Sequence, residues 1–371
     1  MRPTQFIGES QSSGAMILNH EQKLKVILIP DTFSNGRPTP CGYIRLVLPL
    51  TKRVSAEAMS IRLAELAMSG SDHFDVLITQ RLALPTCAAI DEAAMRCRAL
   101  GAKFVYDIDD DLIGICGDHP DQREYHGVDV VVRHALACAD QVWVTTDEMM
   151  RRYSSLARDI VVVPNSLDSR IWKLTRQKLT PEKTVNFVYM GTASHRHDFL
   201  DIVEPAFARL AAKFGQRVSL DLIGIMPGNR SNDIWTSITP PVFNDVYPVF
   251  AAWLQSLNKF HVGLAPLRNS PFNAAKSNIK WQEYSAMGLA TIAADLAPYR
   301  GTIIHGRNGL LCSPDPEAWF EAMSLLVQGE GDHLCDTASM EIRQQLATSE
   351  TYEPRLKLLH TLTERPAVLA H

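Results

Sequence analysis

The chain has 371 residues, of which 46% are hydrophobic and 21% charged, and a formal net charge of −4. That balance describes a globular chain of about two domains and excludes disorder, collagen-like repeats and a coiled coil. With no basic excess, no polybasic block and no run of about 18 apolar residues, a dedicated nucleic-acid binder and a membrane-spanning chain are excluded as well.

Residues 1–22 are polar and read as a loose arm, without the apolar run of a signal peptide. The seven cysteines, Cys41, Cys87, Cys97, Cys116, Cys138, Cys312 and Cys335, are odd in number and form no Cys-x-x-Cys pair. Reduced core thiols in a cytoplasmic protein are expected.

From residue 24 onward, strand-like and helix-like segments alternate. Strands are predicted at 24–30, 75–79, 103–108, 141–145 and 160–165, with helices at 56–69, 88–100, 128–139 and 146–156. The strands are short and almost continuously apolar, as in a parallel sheet buried on both faces. The polar stretch 169–184 reads as an interdomain linker, and the same grammar then restarts. Strands are predicted at 185–190, 218–224, 261–267, 290–294 and 309–312, and helices at 198–214, 246–257 and 276–287, with further helices near 338–365. Residues 226–240 read as a polar loop. The expected fold is α/β: two Rossmann-like doubly wound domains, 23–168 and 185–337, facing a cleft, with 338–371 crossing back to the first.

Several chemistries are argued against by missing motifs. The first strand is not followed by G-x-G-x-x-G, and neither a phosphate-binding G-x-x-x-x-G-K-[ST] loop nor a G-x-S-x-G elbow occurs. No histidine pair has metal-ligand spacing, and no metal site is expected.

The most informative segment is 266–288, where a buried strand gives way to a polar loop and then a helix. The open N–H groups of a helix start form an anion site. Lys276 and Lys280, four apart, are predicted to share one helix face there, with Glu283 a turn later to accept hydrogen bonds from a diol such as a ribose. A capped surface helix with solvated charges is the competing reading. Asp109, Asp110 and Asp111 follow a predicted strand and are expected to project into the cleft. Gly42 is a candidate for close approach to a diphosphate, or simply a helical residue.

Three stretches resemble the retaining GT-B glycosyltransferases of the family-4, group 1 type. Residues 283–292, EYSAMGLATI, match that family's E-A-x-A-x-G-x-P-x-[VI], with Ala290 at the proline position. His305 to Leu311 match D-G-x-N-G-x-L, and Pro164 to Asp168 match P-N-G-[VI]-D, with Ser166 for glycine. The segments at 106–112 and 191–198 look like a bacterial polysaccharide-type subgroup. The sequence departs from the family at two places. Ala275 stands where the first of two acids is usual, and Thr192 stands where an arginine is usual.

The resemblance implies a GT-B fold and retaining transfer of a hexose-type sugar from a nucleotide diphosphate sugar to a hydroxyl. A glycan or glycolipid acceptor is implied, at or near the inner face of a membrane. Lys276, Lys280 and the helix start would stabilise the leaving diphosphate without a metal or other cofactor, and Asp109 or Asp110 would position the acceptor hydroxyl. Glu283, Gly191, Thr192, His195, Arg196, Asn273, Ser277, Asn278 and Ile279 would hold the donor, with His195 and Arg196 as further cations. Two alternatives stay open: a protein of this fold that binds a sugar nucleotide or a partner without turnover, and a sugar-nucleotide epimerase or phosphorylase on the same fold.

Overall fold

The structure, a computed structural model, describes residues 23–63, 73–115, 125–174, 184–228, 230–243 and 245–364. The expected arm at 1–22, Cys116 and linker residues 175–183 lie outside these. The first domain carries β1 (Leu24–Ile29), β2 (Met59–Leu63), β3 (Val76–Gln80), β4 (Lys103–Ile108), β5 (Gln141–Val144) and β6 (Ile160–Val162). They form one parallel sheet in the order β2-β1-β3-β4-β5-β6.

The second domain carries β7 (Val185–Met190), β8 (Val218–Ile223), β9 (Arg230–Ser231), β10 (Thr236–Ile238), β11 (Val262–Ala265), β12 (Ala290–Ala294) and β13 (Leu310–Cys312). Their order is β13-β12-β11-β7-β8-β10-β9, parallel except where β9 meets β10.

Alternate residues of each strand feed opposite faces, the period-2 rule of a pleated sheet. In the first sheet Ile27, Leu77, Phe104 and Val142 pack under the helices Cys87–Leu100 and Val128–Cys138. Val26, Leu28, Val76, Val105 and Trp143 face the other way. There they meet Leu359 and Leu362 of the C-terminal helix Pro354–Glu364, which therefore packs on the first domain. The preceding helix, Asp332–Thr351, packs its Ala338, Ile342 and Leu346 into the second domain.

The structure corrects several expected elements. The expected helix at 56–69, of which residues 64–69 lie outside the described residues, is broken within its described part: Arg53–Ala58 is helical, but Met59–Leu63 is β2. Its helical spacing of apolar residues is overridden by pairing, residue by residue, along the open edge of β1 from Leu24↔Met59 to Leu28↔Leu63. The polar stretch 226–240 contains β9 and β10, which extend the second sheet beyond β8. The predicted linker is anchored at its start. Arg170 pairs with Asp168 at 2.8 Å and donates to the carbonyl oxygens of Leu48 and Thr51, and Trp172 is buried. Among the described residues no helix is long and apolar enough to cross a membrane.

Candidate active site between the domains

A cavity of about 470 Å³ opens where the carboxyl ends of β4, β7 and β8 face one another. Strand ends of such sheets are where ligands gather, because the side chains and loops there are released from pairing. Ile44, Met190, Ile223, Leu267, Ile279 and Tyr299 make its apolar wall, and Asp109, Asp110, His195, Lys276, Lys280 and Glu283 supply its titratable groups.

The second domain contributes the cations and the buried acid. Residues 271–287 are not one helix: Pro271–Ala274 is a single turn, and the main helix begins only at Ile279. Lys276 lies in the connecting loop, so it and Lys280 do not share a helix face. The loop nevertheless brings both to the cavity. The Asn278 side chain makes no capping hydrogen bond to the backbone of the Ile279–Ala286 helix; its Oδ1 accepts instead from Gln282 Nε2 at 2.8 Å. Burial lowers the ammonium of Lys280 to about 8, opposed by Glu283 and assisted by Lys276. Burial likewise raises Glu283 to about 7, with Lys280 and a hydrogen bond from Tyr247 opposing. Tyr247 Oη donates to Glu283 Oε1 at 2.9 Å and accepts from Trp172 Nε1 at 3.0 Å.

The turn after β7 is built by close approach. Gly224 adopts φ +75, and a Cβ there would lie 2.3 Å from the carbonyl oxygen of Gly191. Only glycine fits, and the ends of β7 and β8 come together at the cavity wall. Gly191, Thr192 and His195 line the cavity. His195 is no cation at neutral pH. Burial lowers its imidazole to about 4, despite the Asp198 carboxylate 3.3 Å from Nδ1, and Lys280 and Lys276 add to the lowering. Asp198 also accepts from the backbone N–H of Arg268 at 3.0 Å, so His195 is held as an oriented neutral ring.

The first domain contributes the acids. Asp109 and Asp110 line the cavity, but Asp111 does not: it is buried, paired with Arg152, and accepts from the Tyr153 hydroxyl at 2.7 Å. Burial raises Asp109 in spite of Arg81, whose Nη1 lies 3.4 Å from Oδ1. Burial acts on Asp110 too, but Lys276, Arg81 and His195 outweigh it and leave Asp110 below the usual carboxylate range. Lys276 Nζ lies 3.6 Å from Asp110 Oδ1, across the domain interface.

Arg196, Asn273 and Asn278 do not line the cavity. Asn273 braces the loop by donating to the Arg268 carbonyl at 2.9 Å, and Asn278 donates to Thr302 Oγ1 at 2.7 Å. Ser277 and Ile279 do line it, and Ser277 Oγ accepts from Asn165 Nδ2 at 3.0 Å, joining the domains. Gly42 makes room for the protein itself, since a Cβ there would lie 2.9 Å from the Asp31 carbonyl oxygen. Ala275, at the position of the missing acid, is buried in the first domain's core and accepts from Thr146 Oγ1 at 3.0 Å.

Sequence reasoning did not single out Arg81, Arg45 or Tyr247. Arg81 has φ +46, a conformation rare for a side-chain-bearing residue, directly after β3. Arg45, wholly buried, donates Nε to Asp107 Oδ1 at 3.1 Å and Nη1 to Asn165 Oδ1 at 3.2 Å. Neither residue belongs to a local motif; tertiary packing alone brings them to the site.

Known proteins share this fold. Residues 184–329 match the family described as Glycosyl transferases group 1. The structure is similar to that of Anabaena Alr3699/HepE in complex with UDP and glucose (13% identity, TM-score 0.58, 92% of this chain and 100% of that one). It also resembles sucrose-phosphate synthase from Thermosynechococcus elongatus (16%, 0.57, 78% and 73%). A glycosyltransferase from Rickettsia africae is a third (11%, 0.55, 93% and 100%). No curated protein matches the sequence. The chain thus has the GT-B fold of two facing Rossmann-like domains, and its second domain matches the group 1 glycosyltransferases over residues 184–329.

Proposed function

We propose that the protein transfers a hexose-type sugar from a nucleotide diphosphate sugar to a hydroxyl of a glycan or glycolipid, with retention of configuration. One observation carries the reading: Lys276 and Lys280 from the second domain and Asp109 and Asp110 from the first converge on one cavity, with Glu283 buried in its wall. The family match and the UDP-glucose complex of the Anabaena protein support a uridine nucleotide as the first donor to try.

In this reading Glu283 accepts hydrogen bonds from the ribose diol, and Tyr247 fixes the rotamer in which it does so. The diphosphate lies against Lys276, Lys280 and the open start of the Ile279–Ala286 helix. Its charge grows as the glycosidic bond breaks, so these cations bind the transition state better than the ground state. The donor's arrival draws Lys276 from Asp110. The freed carboxylate, ionised at neutral pH, then accepts a hydrogen bond from the acceptor hydroxyl. Neutral His195 lies in the wall beside the lysines and offers a hydrogen bond without adding charge.

Ala275 in place of the family's acid, and Thr192 in place of its arginine, favour a second reading: a protein that binds the donor without turnover. Incubation with UDP-glucose separates the two. Release of UDP, with or without acceptor, supports a transferase; tight binding with no release over long incubation supports the binder.

A further inference from the structure

Away from the cavity, two helices of the first domain bring three donor atoms of metal-ligand type together. Asp91 stands on the Cys87–Leu100 helix, and His134 and Cys138 stand one turn apart on the neighbouring Val128–Cys138 helix. The Asp91 carboxylate oxygen lies 2.8 Å from His134 Nε2, and Cys138 Sγ lies 3.7 Å from the same nitrogen. One ligand atom of each residue lies within 4.8 Å of the others. Asp91 is exposed, and the other two are half-buried, so an ion reaches them from solvent.

Zinc binds sulfur at about 2.3 Å and nitrogen at about 2.0–2.1 Å, which sets tetrahedral neighbours roughly 3.3–3.6 Å apart. The sulfur–nitrogen spacing here already fits. The oxygen–nitrogen spacing needs to widen by about half an ångström, which a rotation of the exposed Asp91 side chain provides. A thiolate, an imidazole and a carboxylate suit a borderline-soft first-row ion; Mg²⁺ and Ca²⁺ prefer oxygen alone. Three protein ligands leave one position to water. Sequence spacing concealed the set, because Asp91 is 43 residues from His134.

We propose that Asp91, His134 and Cys138 form a surface site for a zinc-class divalent cation, separate from the interdomain cavity. On binding, the Cys138 thiol loses its proton to solvent, its sulfur lone pair forms the metal bond, and waters leave the hydrated ion; nothing is oxidised or reduced. None of the three residues lines the cavity, so occupancy ties the two helices together and leaves the transfer site untouched.

The test is titration of the chelator-stripped full chain with Co²⁺. One equivalent is expected to give a sulfur-to-metal charge-transfer band that Zn²⁺ abolishes by displacement. Cys138→Ser is expected to lose the band, and His134→Ala and Asp91→Asn to weaken binding by at least about tenfold. Zn²⁺ is also expected to shield Cys138 of the unaltered protein from alkylation, read by peptide mapping. A band that survives Cys138→Ser, no band in excess Co²⁺, or unchanged alkylation of Cys138 in Zn²⁺ each overturns the site.

Discussion

The phenol of Tyr247 donates to Oε1 of Glu283 over 2.9 Å, which ties the Tyr247–Ser256 helix to the only acid the second domain contributes to the cavity among the described residues. Burial has raised that acid to about 7, so its charge changes near neutral pH. A diol that donates to the carboxylate favours the ionised form. Donor affinity is therefore expected to fall, by up to about tenfold per pH unit, as pH drops below about 7. Calorimetry across pH checks this. Glu283→Ala is expected to lose about 1–3 kcal/mol of donor binding and the pH dependence with it. Tyr247→Phe removes a bond that favours the anion, and is expected to move the fall in affinity to higher pH.

Lys276 and Lys280 are expected to matter more to turnover than to folding. A cation at a developing diphosphate charge contributes a few kcal/mol to the transition state, whereas a solvated surface lysine contributes almost nothing. Substituting alanine at each in turn, at least one variant is expected to lose more than about tenfold in kcat, with little change in Tm. Near-normal turnover in both would move the phosphate site elsewhere.

His195 gives stability a pH dependence of known sign. Its folded-state value, about 4, lies below the ordinary 6.5, so the unfolded chain binds the proton more readily. Its contribution is complete above about pH 6.5 and is lost as pH falls towards 4, on the order of 2–4 kcal/mol. His195→Gln is expected to flatten denaturation midpoints across that window. Asp198, held below the usual carboxylate range against its own burial by His195 and Arg268, adds a loss only at still lower pH.

The buried pair of Arg45 and Asp107 is expected to be costly to break from one side. Both side chains are fully buried, and Arg45 also reaches Asn165 in the turn that contacts Ser277 of the second domain. Arg45→Met leaves Asp107 buried without its counter-charge, and urea denaturation is expected to show a loss of about 3–5 kcal/mol.

Turnover is expected to survive a metal chelator, because Arg81 and Lys276 already attend the two cavity aspartates. A rate lost in EDTA and restored by Mg²⁺ or Mn²⁺ would assign Asp109 and Asp110 to a metal instead.

The architecture was legible in sequence because parallel strands buried on both faces leave near-continuous apolar runs, as in 24–29 and 290–294. Glu283 and the two lysines were legible because they lie within a single short segment. What escaped depends on distant contacts. Residues 59–63 carry a helical pattern, yet the open edge of β1 makes them a strand. Lys276 looked helical until Pro271–Ala274 took up its own turn and left it in a loop. His195 looked cationic because its charge is set by burial beside two lysines, which no spacing reveals. Tyr247 and Trp172 lie outside the 266–288 segment, and only the folded chain aligns their polar ends with Glu283.

The most direct test of the central claim is calorimetric titration of the unaltered protein, Glu283→Ala and Lys280→Ala with UDP, GDP and ADP. One nucleotide is expected to bind the unaltered protein, and each substitution is expected to weaken that binding by about tenfold or more while the Tm without ligand stays close to normal. If none of the three nucleotides binds, or if the one that binds does so equally well in both variants, the cavity between the domains is not a nucleotide-sugar site.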